Sequence, residues 1–120
     1  MNTRTTRTGL AVVAALLTAA TWSTSAQAAP GVSYIGYGQG NTYNGVLCVQ
    51  KLTNDLTTQI NYHHIAEDGS FGSDTNGAIR AFQQWEHLPV DGIVGPATGD
   101  ALLSQAYNVK GCYPYVPSHH

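Results

Sequence analysis

Asp68-Gly69-Ser70-Phe71-Gly72-Ser73-Asp74-Thr75 and Asp91-Gly92-Ile93-Val94-Gly95-Pro96-Ala97-Thr98 are two copies of one pattern, aligned without gaps and 23 residues apart. Asp, Gly, Gly and Thr recur at matching positions, and each copy runs directly into an apolar stripe of helical period. Asp-Gly specifies a tight turn, because the carboxylate can accept nearby backbone N–H groups and glycine tolerates positive φ. Phe71 and Val94 place a large apolar side chain two residues after the turn, where each is expected to plug the core. The second glycine is expected to let the chain enter its helix closely. Pro96 suits a first helical position, where the missing N–H costs nothing. Thr75 and Thr98 fall in the first turn, where a hydroxyl can serve orphan donors or the loop above.

Outward from the repeat, the apolar positions sort into helices. Val46, Val49, Leu52 and Leu56 recur at spacings of three and four between Asn44 and Leu56. A second stripe runs through Thr75, Ala78, Ile79, Phe82 and Trp85, and a shorter third through Ala97, Ala101 and Leu102. Thr57 to Glu67 is polar and aperiodic, and reads as a connecting loop carrying Tyr62, His63 and His64. Residues 29–43, rich in Gly, Tyr and Asn, read as an irregular arm, and the tail from Asn108 is expected to fray at Ser118-His119-His120. The domain is therefore expected over residues 44–107, with a tail over residues 108–120.

The chain of 120 residues has room for one small domain. Arg4 and Arg7 precede an apolar run from Leu10 to Ala20, and Ala26-Gln27-Ala28 is a small-x-small pattern, so residues 1–28 read as an export signal. The run is far shorter than the roughly 20 residues a membrane helix requires. Without that segment, Lys51, Arg80 and Lys110 face seven acids, a formal net of −4. This balance speaks against nucleic acid and against an anionic membrane surface as partners. Cys48 and Cys112 are the only cysteines, and in a small exported chain such a pair is expected to be a disulfide.

The segments Val46-Leu47-Cys48-Val49-Gln50-Lys51-Leu52, both repeat copies, Ala78-Ile79-Arg80-Ala81-Phe82-Gln83 and Ala101-Leu102 together resemble the bacterial peptidoglycan-binding domain over about residues 44 to 104. That family is the three-helix module attached to many cell-wall hydrolases. The resemblance implies an all-α, small three-helix bundle, to which the composition and the cysteine pair add irregular N- and C-terminal arms and one disulfide. Together with the export signal, it implies a monomeric, secreted, non-catalytic protein that binds peptidoglycan through glycan or stem peptide, with an exported cell-wall hydrolase as a further partner. An exported interaction module that regulates or inhibits a cell-wall enzyme is the other reading of the same fold. The family usually has glycine where His87 stands; histidine tolerates left-handed backbone better than most residues and can cap the second helix there.

No catalytic, metal or cofactor set emerges. Asp68 and Asp91 are explained by their turns, His63 and His64 are adjacent on a loop so that their side chains diverge, and the residues outside the module leave no room for a catalytic domain. For a wall polymer of sugars, amides and carboxylates, the candidate ligand-binding residues are Asp68, Gly72, Thr75, Arg80, Trp85, Asp91 and Thr98. They combine backbone donors at two helix N-termini, one base and one aromatic ring. Trp85 fits either the edge of the buried stripe or a stacking contact, and the arm tyrosines either stack on ligand or cover the ends of the core.

Overall fold

A computed structural model describes residues 32–119. The export signal read over residues 1–28 lies outside the described residues. Four helices follow one another: α1 (Tyr43–Asn54), α2 (Thr57–Ile60), α3 (Ser73–Trp85) and α4 (Pro96–Gln105). α1 packs on α3 and α4, and α2 packs on α3. Among the described residues no helix is long and apolar enough to cross a membrane.

The α1 stripe is buried as its spacing requires: Val46, Val49, Leu52 and Leu56 face Ala78, Ile79 and Phe82 of α3 and Leu102 and Leu103 of α4 in one core. Thr42 caps α1, its hydroxyl accepting from the Gly45 amide at 3.1 Å. α2 occupies part of the segment expected to be a loop. Leu56 and Ile60, four apart, both reach the core, and Asn61, in left-handed conformation at φ 53°, ends the turn. The remainder of that segment is gripped by Asn54, whose carboxamide accepts from Ile65 N at 2.9 Å and donates to Ile65 O at 2.8 Å, seating Ile65 in the interior.

His87 stands at φ 61° just past α3. Its amide bonds Gln84 O and the Leu88 amide bonds Gln83 O, at 3.2 and 2.9 Å, with Leu88 partly buried against the core. These are the two bonds of a Schellman cap, with histidine in the place glycine fills at least cost.

Both arms are integral to the fold. Ile35 is fully buried and forms an antiparallel bridge with Val94, with N···O distances of 3.3 and 2.7 Å. The arm is irregular, as its composition predicts, and the burial of Ile35 leaves no trace in the pattern because a single apolar residue carries no periodicity. Cys48 and Cys112 are bonded across a Cα–Cα distance of 5.7 Å, closing 64 residues of sequence separation. Beyond the bridge, Val116, Pro117 and Ser118 are buried, and the chain crosses α4 so closely that a Cβ on Gly99 would overlap the Pro117 carbonyl oxygen. His119 then donates its amide to Asp100 Oδ1 at 2.8 Å, and its ring pairs with Asp100 Oδ2. Ser118 and His119 are thus anchored, contrary to the fraying their composition suggests, because Gly99 opens a track for the tail across the helix, and His120 lies outside the described residues.

Two substitutions test this packing by thermal unfolding. Gly99→Ala is expected to cost about 1–3 kcal/mol by forcing the tail off α4, whereas His87→Gly is expected to stabilise by up to about 1 kcal/mol by relieving the left-handed position.

Candidate functional site

The two repeat turns are built alike, and each is held from inside by a glutamine. At the first, Gly69 adopts φ 71° and the Asp68 carboxylate accepts the Ser70 amide at 3.0 Å. Gln50, on α1 and 1% exposed, presents its carboxamide to this turn. Its Oε1 accepts from the Asp68 and Gly69 amides at 3.0 and 2.9 Å. Its Nε2 faces Asp68 Oδ1, Ser70 O and Thr75 Oγ1 at 3.1, 3.0 and 3.0 Å, sharing two protons among three acceptors.

Gln83, on α3 and also 1% exposed, repeats every contact at the second turn. Gly92 adopts φ 73° and Asp91 accepts the Ile93 amide at 2.9 Å. Gln83 Oε1 accepts from Asp91 N and Gly92 N at 3.1 and 2.9 Å. Its Nε2 reaches Asp91 Oδ1, Ile93 O and Thr98 Oγ1 at 2.8, 3.0 and 3.2 Å. Thr75 and Thr98 are therefore interior residues: each lies in the first turn of its helix and pins the glutamine to it.

The outer surfaces differ. Over the first turn lies an open groove of about 290 Å³ lined by Asp68, Ser70, Phe71, Gly72, Ser73 and Asp74, a mostly polar set. Gly72 precedes α3 in extended conformation, and a Cβ there would meet open space, so close entry into the helix is not what this glycine provides. Phe71 is half-buried and edge-on to Tyr37, at 5.1 Å and 80°, and does not plug the core as Val94 does. Val94 is sealed by its bridge to Ile35, and among the described residues Phe71 has no such bridge. Over the second turn the hollow is about 200 Å³ and mostly apolar, with Leu88, Pro89, Ile93 and Ala97 beside Tyr34.

Asp68, Gly72 and Thr75 thus share one locality, and Asp91 and Thr98 another. Arg80 belongs with the second, where it and Asn76 lie against Gly92. Trp85 stands apart, at the far end of α3, about 20 Å from its start at 1.5 Å per residue. It is 37% exposed, packs at a tilt on Phe82, and borders a separate groove with Gln59, Asn61 and Gln84.

Electrostatically the first turn is a fixed anion. The Ser70 amide and the Gln50 carboxamide hold the Asp68 carboxyl below the usual carboxylate range. Neighbouring Glu67 is held low as well, chiefly by the Asn54 amide and then by Lys51, whose Nζ lies 3.3 Å away. A general acid requires the opposite shift, a carboxyl raised by burial. Beside the groove, His63 stacks on Tyr62 at 4.3 Å and points Nε2 at Asp74 Oδ1, 3.6 Å away. Among the described residues no three His, Cys, Asp or Glu side chains converge as metal ligands.

Residues 49–102 match the family model for the peptidoglycan binding domain. Searches of curated proteins and of solved structures find no match.

A depressed folded-state pKa stabilises above the unfolded value of about 4 and is lost as pH falls through the folded value. Acid titration of stability is therefore expected to show a loss below about pH 4, shallower in Asp68→Asn and with a residue remaining from Glu67. Equal acid limbs for the two proteins would contradict the role given to Asp68.

Proposed function

We propose, from the match of residues 49–102 to the family model for the peptidoglycan binding domain, that the chain is a secreted, non-catalytic protein that associates with the cell wall by binding peptidoglycan. The observation that carries this reading is the pair of glutamine-clamped turns within the matched residues, which hold the polar groove at the start of α3 in one shape. A site shaped before binding loses little freedom on association. Export is supported by the N-terminal pattern of Arg4, Arg7 and the apolar run, and by the disulfide, a bond that persists in oxidising compartments.

Asp68, Ser70, Ser73 and Asp74 offer acceptors and hydroxyls to the amides of a wall polymer, and the exposed α3 start adds backbone donors. Thr75 and Thr98 serve by holding the turns. Arg80 and Asp91 flank the second hollow, and Trp85 supplies a separate aromatic contact along the same helix. With low net charge, binding is expected to rest on hydrogen bonds and ring contacts, with weak dependence on salt.

The purified mature protein is expected to sediment with insoluble peptidoglycan and to be released by soluble muropeptides. Asp68→Asn and Trp85→Ala, each checked for fold by circular dichroism, are expected to weaken that binding. A protein that remains in the supernatant while co-purifying with an exported enzyme would overturn the reading, and unchanged binding in both folded variants would remove the proposed contacts.

A further inference from the structure

A cleft of about 400 Å³ opens where the N-terminal arm, the start of α1 and the C-terminal tail meet, lined by Ser33, Tyr43, Asn44, Pro114 and Tyr115 among others. All of its lining lies outside the matched residues 49–102, on the two arms and the first turn of α1. The volume falls within the range of small-ligand sites, roughly 300–1,000 Å³.

Each wall is fixed independently. Tyr115 stands between buried Cys112, held by the disulfide, and buried Val116, and its carbonyl oxygen comes so near α1 that a Cβ on Gly45 would lie 3.0 Å from it. Tyr43 follows the Thr42 cap and rests its ring on Gly69 of the first repeat turn, where a Cβ would collide with it. Ser33 precedes a short turn closed by Asn41, which exchanges two 2.8 Å bonds with Gly36 and donates its own amide to Tyr34 O at 3.3 Å. Within this rigid frame the tyrosine rings are left open, Tyr43 at 60% and Tyr115 at 41% exposure.

Exposed rings on an anchored frame beside short polar side chains suit a particular ligand. The electron-rich face of tyrosine attracts the electropositive C–H face of a pyranose, while Ser33 and Asn44 can bond ring hydroxyls or an N-acetyl group. A stem peptide has no comparable flat C–H face. We infer that the Tyr43–Tyr115 cleft is a glycan subsite, taking an N-acetylated hexose ring of the wall polymer. This rests on the wall-binding reading for its biological ligand, though the chemistry of the cleft stands alone. Because Tyr43 also packs on the first turn, a glycan seated in the cleft lies next to the groove at Asp68 and can carry its stem peptide toward it.

The test is titration of the full mature protein, disulfide intact, with chitohexaose, read by calorimetry and by NMR of the tyrosine rings. Binding with shifts centred on Tyr43 and Tyr115, weakened about tenfold in Tyr115→Ala, is the expected result. Should Tyr115→Ala fail to keep the wild-type melting transition, Asn44→Ala, at an exposed position of α1, reads the same cleft. No binding of chitohexaose, or equal binding by the folded variants, would overturn the inference. Sedimentation with insoluble wall, run in parallel, separates the two ideas. A protein that sediments yet ignores chitohexaose keeps the wall reading and loses the cleft, and one that binds chitohexaose at the cleft without sedimenting does the reverse.

Discussion

Two buried carboxamides hold this small domain together. Gln50 and Gln83 each satisfy two backbone amides, a carbonyl, an aspartate and a threonine hydroxyl, joining α1 to the turn that starts α3 and α3 to the turn that starts α4. A single hydrogen bond contributes only about 1 kcal/mol net, but a deleted carboxamide leaves several interior groups unpaired at about 1–3 kcal/mol each. Against a total stability of about 5–15 kcal/mol, one clamp is a large fraction. Gly69 and Gly92 at positive φ, the aspartates of their turns, and Thr75 and Thr98 all have their geometry dictated by the glutamine each turn surrounds. Only an amide offers an acceptor and a two-proton donor on one planar group, so neither glutamate nor leucine could replace it.

The clamps turn a helix bundle into a scaffold with defined outer surfaces. Identical interior wiring carries a polar groove at one turn and an apolar hollow at the other, because the side chains that point outward, Ser70 and Ser73 against Ile93 and Ala97, are free of the constraint. The arms add what the module lacks. A disulfide at Cys112, a bridge at Ile35 and the pairing of His119 with Asp100 tie both ends of the described chain onto the core. They bring tyrosines from opposite ends of the sequence into one cleft, adjoining the first turn through Tyr43.

Much of this is legible in the sequence. The doubled Asp-Gly pattern announced two turns leading into helices, the stripes named the core residues of α1 and α3, and His87 was recognisable as a left-handed cap. Gln50 and Gln83 stand out in the sequence as parts of the resembling segments and as polar residues inside apolar stripes, without showing what they hold. Gln50 precedes its aspartate by 18 residues and Gln83 by 8, so unequal loops hid their common role. A search for a polar residue at a core position of the helix before each turn would have found both. The arms were illegible for another reason: Ile35, Gly99 and Val116 act through single long-range contacts, which leave no period in the sequence. Of the residues named for the site, Asp68 and Gly72 line one groove because they lie four apart in one turn, whereas Arg80 lies against Gly92 of the other turn and Trp85 at the far end of α3.

The central claim is that each turn is held by its own glutamine. Native-state hydrogen exchange of the Gly69 and Gly92 amides, measured in Gln50→Glu and Gln83→Glu, tests it most directly. Glutamate keeps the shape and the acceptor but loses the donor and sets a second carboxylate beside the turn aspartate. The account predicts that Gly69 loses protection selectively in the first variant and Gly92 in the second, with core amides of α1 and α3 still protected in each. Equal protection at both glycines in both variants, with the fold intact, would contradict it.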